Sequence, residues 1–359
     1  MRYLIILLLF FIACQTKQVE QLDEGLSHTE DAMFFSLHER QDTLYLKVKS
    51  SQSNNRNLLD LKIVAGRVQR PNGEFHSLDK CLLISSSQLG AFKVLDRLDK
   101  IKGFNNKAYA YDSTVRKRMD ENEILTIGEI ASFNKERILQ IKPDAIFYSA
   151  EVNGSSEFKF FENQGILMIP VLEWQEGSAL ARAEWIKLYG ALLGNMERAD
   201  SIYSVVKKEY RKHMFSYKNP PQVMVGNDYQ GVWYTPAGES YVSKMIFDAG
   251  GEYAFSSSKG KGSLSKDFEV MIHKCAGSDY WLNPGTAASL IQLKSENPLY
   301  MRFKPFKRRQ VFNCVGRARE DGANDYWEVG VFRPDLVLED YKKIFKGQHD
   351  SLFYYKRLP

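Results

Sequence analysis

The stretch NKERILQIKPDAIFY, residues 134–148, decides the fold. Its first half has apolar residues at helical spacing, and Pro143-Asp144 interrupts that spacing just before an apolar run over 145–148. A helix that stops at a proline and leads directly into a short apolar strand is typical of a parallel βα unit. The segment therefore predicts an α/β chain in which helices cover parallel strands.

Further strand–helix units lie on both sides of this segment. In the first series, strands are predicted at 81–84, 145–148 and 166–171, and helices at 89–98, 130–141 and 157–163. In the second series, strands are predicted at 223–225, 279–282 and 310–313, and helices at 241–248, 268–274 and 334–345. Two such series predict two βα lobes with Rossmann-like parallel sheets.

The segment between the two series has a different pattern. Over 178–214 apolar residues recur at helical spacing, with Gly190 and Gly194 as almost the sole interruptions, and Pro220-Pro221 follows. This pattern predicts one long helix, or two helices joined near Gly194. We therefore expect an N-terminal lobe over 80–176, a bridging helix over 177–216 and a C-terminal lobe over 217–359.

The residues before the first lobe are polar, with alternating apolar positions around 43–48 and 61–64. This pattern predicts a tether followed by edge strands over 15–79, which form a small N-terminal β extension.

The first residues are typical of an export signal. A positive start is followed by an apolar run over 4–12, which is too short to span a membrane, and then by Ala13-Cys14. The residues Phe11 to Cys14 resemble a bacterial lipobox, in which the cysteine is acylated. We therefore expect a signal peptide over 1–14 and a lipid anchor on Cys14, on a membrane facing the periplasm or on the outer surface. Ordinary signal cleavage, with Cys14 incidental, is the alternative.

Composition narrows the function classes. The net charge is +5 over 359 residues, and the basic run 304–309 is typical of a solvated face, so no nucleic-acid partner is expected. Cys81, Cys275 and Cys314 are odd in number and distant in sequence, which does not suggest a disulfide framework. The chain has no nucleophile elbow, P-loop or dinucleotide fingerprint, so we expect no enzyme.

Four motifs resemble those of one family, the periplasmic binding proteins of siderophore, heme and cobalamin importers. They are the element at 134–146, the segment 238–251 with Gly238, Ser240 and Ala249-Gly250-Gly251, the segment 267–281, and the helix 333–340 with Pro334-Asp335. The segment 324–328 resembles uncharacterised Bacteroidetes-type members. The resemblance covers roughly residues 80–346 and implies two lobes joined by one rigid helix.

The resemblance also implies a function. A member of this family is expected to be a lipid-anchored, extracytoplasmic binding protein, a monomer, that delivers a metal chelate to an ABC permease and its ATPase. A ferric siderophore is the first expectation for the chelate, and heme or a corrinoid such as cobalamin is the alternative. A surface receptor or structural lipoprotein without an importer is a further alternative.

Two glutamates correspond to the family's permease-docking positions. Glu136 and Glu269 each stand in the first turn of a helix before a strand of one lobe. Two separated carboxylates set the register of docking onto a basic partner. The alternative for each is an acid that stabilises the helix start through the dipole, with Asp267 as a rival in the second lobe.

The ligand is expected at the loops after the carboxyl ends of the strands. Aromatic residues there suit a large planar or catecholate ligand, and arginines suit an anionic chelate. The candidate ligand contacts are Ser86, Ser87, Gln88, Tyr148 and Trp174 in the first half of the chain, and Tyr229, Trp233, Tyr234, Arg317, Arg319 and Trp327 in the second half. For each aromatic residue the alternative is the core, and for Arg317 and Arg319 it is a surface loop paired with Glu320 or Asp321.

The positions of the histidines argue against a site for a bare metal ion. None of the six histidines falls in a predicted cleft loop. We therefore expect no cofactor and no protein-built metal site, and a metal that enters wrapped in its own chelator.

Overall fold

The computed structural model describes residues 25–52, 56–128, 133–149 and 156–359. Within these ranges no helix is both long and apolar enough to cross a membrane. The described chain forms an N-terminal antiparallel sheet, two α/β lobes and a helical bridge between them. The prediction of a two-lobed α/β fold is confirmed.

The N-terminal sheet is larger than the edge strands expected from the sequence. Its strands, hydrogen-bonded in chain order, are β1 (Leu26–Ser27), β2 (Phe35–Arg40), β3 (Thr43–Lys49), β4 (Asn57–Val64), β5 (Arg67–Gln69) and β6 (Phe75–His76). One face is apolar, with Leu37, Leu46 and Ile63 fully buried in the same core as the N-terminal lobe. The extension is therefore an integral layer of the fold.

The N-terminal lobe is a parallel sheet in the order β11-β10-β7-β8-β9. In chain order its elements are β7 (Cys81–Leu83), α1 (Ser86–Val94), β8 (Ile101–Phe104), α2 (Ser113–Asp120), β9 (Leu125–Thr126), α3 (Lys135–Ile141), β10 (Ala145–Tyr148), α4 (Ser156–Asn163) and β11 (Leu167–Pro170). The apolar run that follows Pro143 is the buried strand β10, as its sequence predicts.

The bridge is not one continuous helix. It consists of α5 (Ala179–Glu184), α6 (Ile186–Leu192) and α7 (Met196–His213). Gly194 takes a φ of +65° between α6 and α7, and a Cβ on Gly66 in the β4–β5 turn would lie 2.4 Å from the Gly194 Cα. The bridge therefore breaks where the N-terminal sheet packs closely against it, at the glycine that the sequence offers as a joint.

The C-terminal lobe has the sheet order β15-β12-β17-β18-β19, with β19 antiparallel to β18. In chain order its elements are β12 (Gln222–Val225), β13 (Asn227–Tyr229), β14 (Val232–Pro236), α8 (Tyr241–Asp248), β15 (Glu252–Tyr253), β16 (Ser263–Asp267), α9 (Phe268–Cys275), β17 (Tyr280–Leu282), α10 (Leu290–Glu296), α11 (Lys304–Lys307), β18 (Val311–Asn313), α12 (Asp325–Glu328), α13 (Pro334–Phe345) and β19 (Lys356–Arg357). A separate antiparallel sheet, β13-β14-β16, lies at the carboxyl end of β12.

The two lobes share a topology. In the N-terminal lobe the first strand, β7, lies between β8 and β10, and β10 follows α3 directly in the chain. In the C-terminal lobe the first strand, β12, lies between β15 and β17, and β17 follows α9 directly in the chain. The starts of α3 and α9 are therefore equivalent positions in the two lobes.

Candidate functional site

The loops after β8 and β18 approach each other where the lobes meet, at Tyr111 and Arg319. In the N-terminal lobe the Gln88 Nε2 donates to the Ser149 Oγ at 3.1 Å, which joins the loops after β7 and β10. In the C-terminal lobe the Asn313 Nδ2 donates to the Gly285 carbonyl at 3.0 Å, which joins the loops after β18 and β17. The carboxyl ends of open α/β sheets are where such folds bind ligands, so the cleft between these loops is the candidate site.

The three polar residues after β7 have different environments. The Ser86 hydroxyl is partly exposed and donates to the Tyr109 carbonyl at 2.8 Å. Ser87 is buried and donates to the Glu173 Oε1 at 2.7 Å, while the buried Gln88 amide accepts from backbone N–H groups of the preceding turn. Ser86 stays a candidate contact, but Ser87 and Gln88 are corrected to supports, because their polar atoms are used inside the lobe.

Tyr148 is also corrected. Its ring is buried and packs against Phe158, with 4.6 Å between the ring centroids. Together with Leu167 it lines a cavity of about 510 Å³ between β4 and the edge of the N-terminal lobe. Burial raises the pKa of its hydroxyl. The N-terminal sheet and α4 cover the end of β10, and the residue does not face the cleft.

A buried pair of opposite charges lies at the start of the bridge. Glu173 follows β11, and burial raises the pKa of its carboxyl, opposed by the charge of Arg182 on α5. The Arg182 guanidinium stacks over the ring of Tyr241 in the C-terminal lobe, 4.2 Å from its centroid. Within the described residues, the Glu173 Oε2 and the Arg182 Nε are buried without a hydrogen-bond partner. Burying a polar or charged group costs free energy unless it has a hydrogen-bond partner. These two atoms are therefore suited to pair with a polar group of a ligand.

Each lobe has one half-exposed tryptophan next to a member of this charge pair. Trp174 directly follows Glu173 and is 48% exposed. Trp327 on α12 is 49% exposed and lines a small cavity of about 20 Å³ together with Arg182 and Tyr241. Both predicted residues therefore present an open aromatic surface next to the pair, where it could contact a ligand.

The three predicted aromatic residues of the β13–β14 hairpin lie on two different faces of the hairpin. Tyr229 and Tyr234 lie on one face of the hairpin and are exposed. Trp233 alternates with Tyr234 along β14 and is 0% exposed, and its indole N–H donates to the Val225 carbonyl at 3.0 Å. The expectation that Trp233 lines the cleft is therefore wrong, because the strand period of two points its ring into the core.

Arg317 and Arg319 hold the two lobes together. The Arg317 Nε donates to the Asp325 carboxylate at 2.7 Å, and its guanidinium lies 5.7 Å from the ring centroid of Tyr111 in the N-terminal lobe. The Arg319 Nε donates to the Tyr111 carbonyl at 2.7 Å. Both guanidinium groups face Tyr111, and these two hydrogen bonds use only their Nε atoms, so the role of Arg317 and Arg319 as anion contacts stays a prediction.

Glu328 lies in the same contact between the lobes. Its Oε2 accepts from the backbone N–H groups of Tyr111, at 2.7 Å, and Asp112, while its Oε1 is buried without a hydrogen-bond partner in the described chain. Burial raises the pKa of the Glu328 carboxyl to about 7, although the two N–H groups and the charge of Lys93 act to lower it. The neighbouring Asp112 carboxylate acts in the same direction as burial.

The raised pKa of Glu328 predicts a dependence of stability on pH. The folded chain holds a proton on Glu328 that the unfolded chain releases near pH 4.5, so this residue opposes folding increasingly as the pH rises toward 7. The stability advantage of Glu328→Gln over wild type, measured as the free energy of unfolding, should therefore grow by on the order of 2–3 kcal/mol between pH 5 and pH 8. Urea unfolding of both proteins across this range measures the difference, and parallel profiles would contradict it.

The predicted docking residues are both on the surface. Glu136 lies in the first turn of α3 and Glu269 in the first turn of α9, and both side chains are exposed. Asp267, the rival of Glu269, is the N-cap residue of α9. The predicted acylation site Cys14 lies outside the described residues.

A larger cavity, of about 980 Å³, lies away from the cleft. It follows the end of α7 and the edge strand β15, and Phe215, Tyr217 and Phe247 are among its lining residues. None of the candidate ligand contacts lines it. Neither the half-exposed tryptophans nor the buried charged groups that lack partners among the described residues line this cavity.

Comparisons with known proteins identify the fold family. A family model described as periplasmic binding protein matches residues 83–316. An uncharacterised lipoprotein of Methanocaldococcus jannaschii is 28% identical over 290 residues, which cover 77% of this chain and 68% of that protein. The resemblance found in the sequence motifs is thus confirmed, whereas the Bacteroidetes-type origin stays a prediction.

Solved structures with the same fold have low sequence identity. A periplasmic binding protein from Veillonella parvula has a TM-score of 0.60 at 12% identity, covering 86% of this chain and 99% of that chain. A periplasmic heme-binding protein from Pseudomonas aeruginosa has a TM-score of 0.58 at 13% identity, covering 79% and 98%. A possible iron-binding protein from Staphylococcus epidermidis has a TM-score of 0.56 at 15% identity, covering 75% and 98%. At these identities the similarity establishes the fold.

Proposed function

The chain belongs to the periplasmic binding protein family, and from this premise we propose that it is an extracytoplasmic lipoprotein that binds a metal chelate in the interlobe cleft and delivers it to an ABC importer. Family membership supports a binding role in place of an enzymatic one. Acylation of Cys14 supplies the anchor, and the relative from M. jannaschii is itself described as a lipoprotein.

The observation that carries this proposal is the pair of half-exposed tryptophans beside the buried charges. Trp174 follows Glu173 in the N-terminal lobe, and Trp327 of the C-terminal lobe lines a small cavity with Arg182. Glu173 and Arg182 each keep a buried atom whose hydrogen-bonding capacity the described chain leaves unused. Small-molecule sites typically combine aromatic walls with a few oriented polar groups. A chelate with anionic or hydroxyl groups at its edge matches the chemistry of both features, and its entry requires the lobes to move apart, because the cavity beside Trp327 and Arg182 measures only about 20 Å³.

The chelate is proposed to be a ferric siderophore, with heme or a corrinoid as the alternative. A tryptophan-fluorescence titration of the mature chain against ferric siderophores, heme and cobalamin distinguishes them. Trp174 and Trp327 are exposed, whereas Trp185, Trp233 and Trp281 are buried, so a cleft ligand should quench part of the emission. Saturable quenching by one class at micromolar concentration identifies the substrate class, and no response from folded protein would favour a receptor without an importer.

Trp327→Ala is expected to weaken binding of the responding chelate at least tenfold, a loss of about 1.4 kcal/mol or more. The substitution removes an aromatic wall of the cleft, and because the ring is half exposed it should change the stability of the fold little. Isothermal titration calorimetry measures the affinity.

Phe247→Ala is the matched control for this prediction. It removes an exposed ring from the cavity beside β15 and should leave the affinity unchanged. The opposite pattern, with lost binding in Phe247→Ala alone, would move the ligand site to that cavity.

A further inference from the structure

The N-terminal sheet has an outer face that is not part of the family match. The match begins at residue 83, and the sheet ends at His76. Its inner face is buried against the N-terminal lobe and the bridge through residues such as Leu46 and Val68. Because side chains alternate along a strand, the residues between these buried positions share the opposite face.

The strand register places basic side chains together on that outer face. Its cross-strand rows are Arg40–Thr43–Val64–Arg67, His38–Tyr45–Lys62 and Ser36–Lys47–Asp60. Arg40, Lys62 and Arg67 are exposed. In the described strands Asp60 is the acidic residue of this face, and it lies 3.5 Å from the Lys47 ammonium. We name Arg40, Lys47, Lys62 and Arg67 the basic face.

The basic face is built around an aromatic ring. The Arg40 guanidinium and the Lys62 ammonium each lie 6.0 Å from the centroid of the Tyr45 ring. An aromatic ring with a polar tip and long cationic side chains with apolar stems is the combination that suits a lipid headgroup layer. An exposed pair such as Lys47 with Asp60 is weak, so these cations are available to an external anion.

We propose that the basic face rests on the anionic lipid headgroups of the membrane that carries the chain. This inference rests on the proposed acylation of Cys14. Residues 15–25 separate Cys14 from β1 and reach roughly 40 Å when fully extended. Basic side chains close to a membrane surface are attracted to its anionic headgroups, so a basic surface near the anchor supplies a second contact with the membrane. The anchor thus brings the sheet to the membrane, and the basic face orients the protein on it.

Co-sedimentation with lipid vesicles tests this inference. The mature chain from Gln15, which lacks the acyl group, should bind vesicles of phosphatidylcholine mixed with phosphatidylglycerol and not vesicles of phosphatidylcholine alone. Added salt should release it, because exposed charges are screened. Equal binding to both vesicle types, or binding that salt does not weaken, would overturn the inference.

Two matched variants locate the binding surface. Arg40→Gln, Lys47→Gln, Lys62→Gln and Arg67→Gln in one chain should lower binding to the anionic vesicles at least tenfold. Lys307→Gln, Arg308→Gln and Arg309→Gln, which remove the exposed basic run of the C-terminal lobe, should leave binding unchanged. Equal loss in both variants, or loss in the second alone, would contradict the basic face.

The outcome is separable from that of the proposed function. Incorporation of labelled fatty acid at Cys14 in cells tests the anchor, and chelate titration tests the cleft. Suppose that the chain is acylated and binds a chelate, but its mature form does not bind anionic vesicles. The proposed membrane contact of the basic face would then be refuted, and the proposed function would stand. If the variant with four substitutions does not fold, two other results still test the basic face. Binding of the unmodified chain that salt does not weaken, or loss of binding in the C-terminal variant, would contradict it.

Discussion

Replacing Glu136 and Glu269 together by arginine is expected to reduce delivery of the chelate to the importer by at least a hundredfold, with the affinity for the chelate unchanged. Placing a charge of the wrong sign against a basic partner costs several kcal/mol, and about 1.4 kcal/mol corresponds to each tenfold change. Uptake of labelled chelate by proteoliposomes that hold the cognate permease and ATPase measures delivery, and calorimetry on the free protein measures affinity.

The geometric reason is the equivalence of the two positions. Glu136 begins the helix before β10 and Glu269 begins the helix before β17, and these strands hold the same place relative to the first strand of their lobes. Both carboxylates are exposed. If both carboxylates contact a permease, one acidic group per lobe would fix how the two lobes are oriented on it.

Glu197→Arg is the matched control. Glu197 is also an exposed acid in the first turn of a helix, but that helix is α7 of the bridge. If Glu136 and Glu269 serve merely as partners of the helix dipole, all three reversals should have similar small effects on stability, and none should affect uptake. Normal uptake by the double variant would refute the docking role.

The sequence predicts the parallel strands well because each is a short, continuous apolar run. Residues 145–148 are buried throughout, as are 81–83, and the strand that each run predicts is present. The bridge was predicted in part. Two helices joined near Gly194 were one of the two alternatives, but the break at Trp185 between α5 and α6 was not foreseen, because helical spacing continues through it. The extent of the N-terminal sheet was missed because β1, β5 and β6 are only two or three residues long, too short to show an alternating pattern.

The ligand contacts stay a prediction. Trp174 and Trp327, which the sequence nominates, are half exposed, whereas nothing in the sequence indicated the buried Glu173, Arg182 and Glu328. A glutamate in a loop or an arginine in a helix is ordinarily a surface residue, and these are buried by neighbours far away in the chain. The Arg182 guanidinium meets Tyr241 of the other lobe, and Glu328 meets Tyr111, so the signal lies in tertiary contacts.

Trp233→Ala is expected to lower the free energy of unfolding by about 3–5 kcal/mol, without changing chelate affinity in the protein that remains folded. The indole ring of Trp233 is fully buried in the core of the C-terminal lobe. Its centroid lies 5.5 Å from that of Trp281, 5.6 Å from that of Phe303 and 5.8 Å from that of Tyr300. Truncation would leave a cavity among these rings and remove the donor to the Val225 carbonyl.

Urea unfolding of Trp233→Ala, Trp233→Phe and Trp327→Ala separates a core role from a cleft role. Trp233→Phe keeps most of the ring volume and should lose less stability than Trp233→Ala, because the cavity is smaller. Trp327→Ala should show the reverse pattern of Trp233→Ala, with near-normal stability and weakened binding, because its ring is half exposed at the cleft. If Trp233→Ala instead had normal stability and lost its affinity, the ring would have to leave the core to contact the ligand. The lobe would then rearrange on binding far more than its close aromatic packing allows.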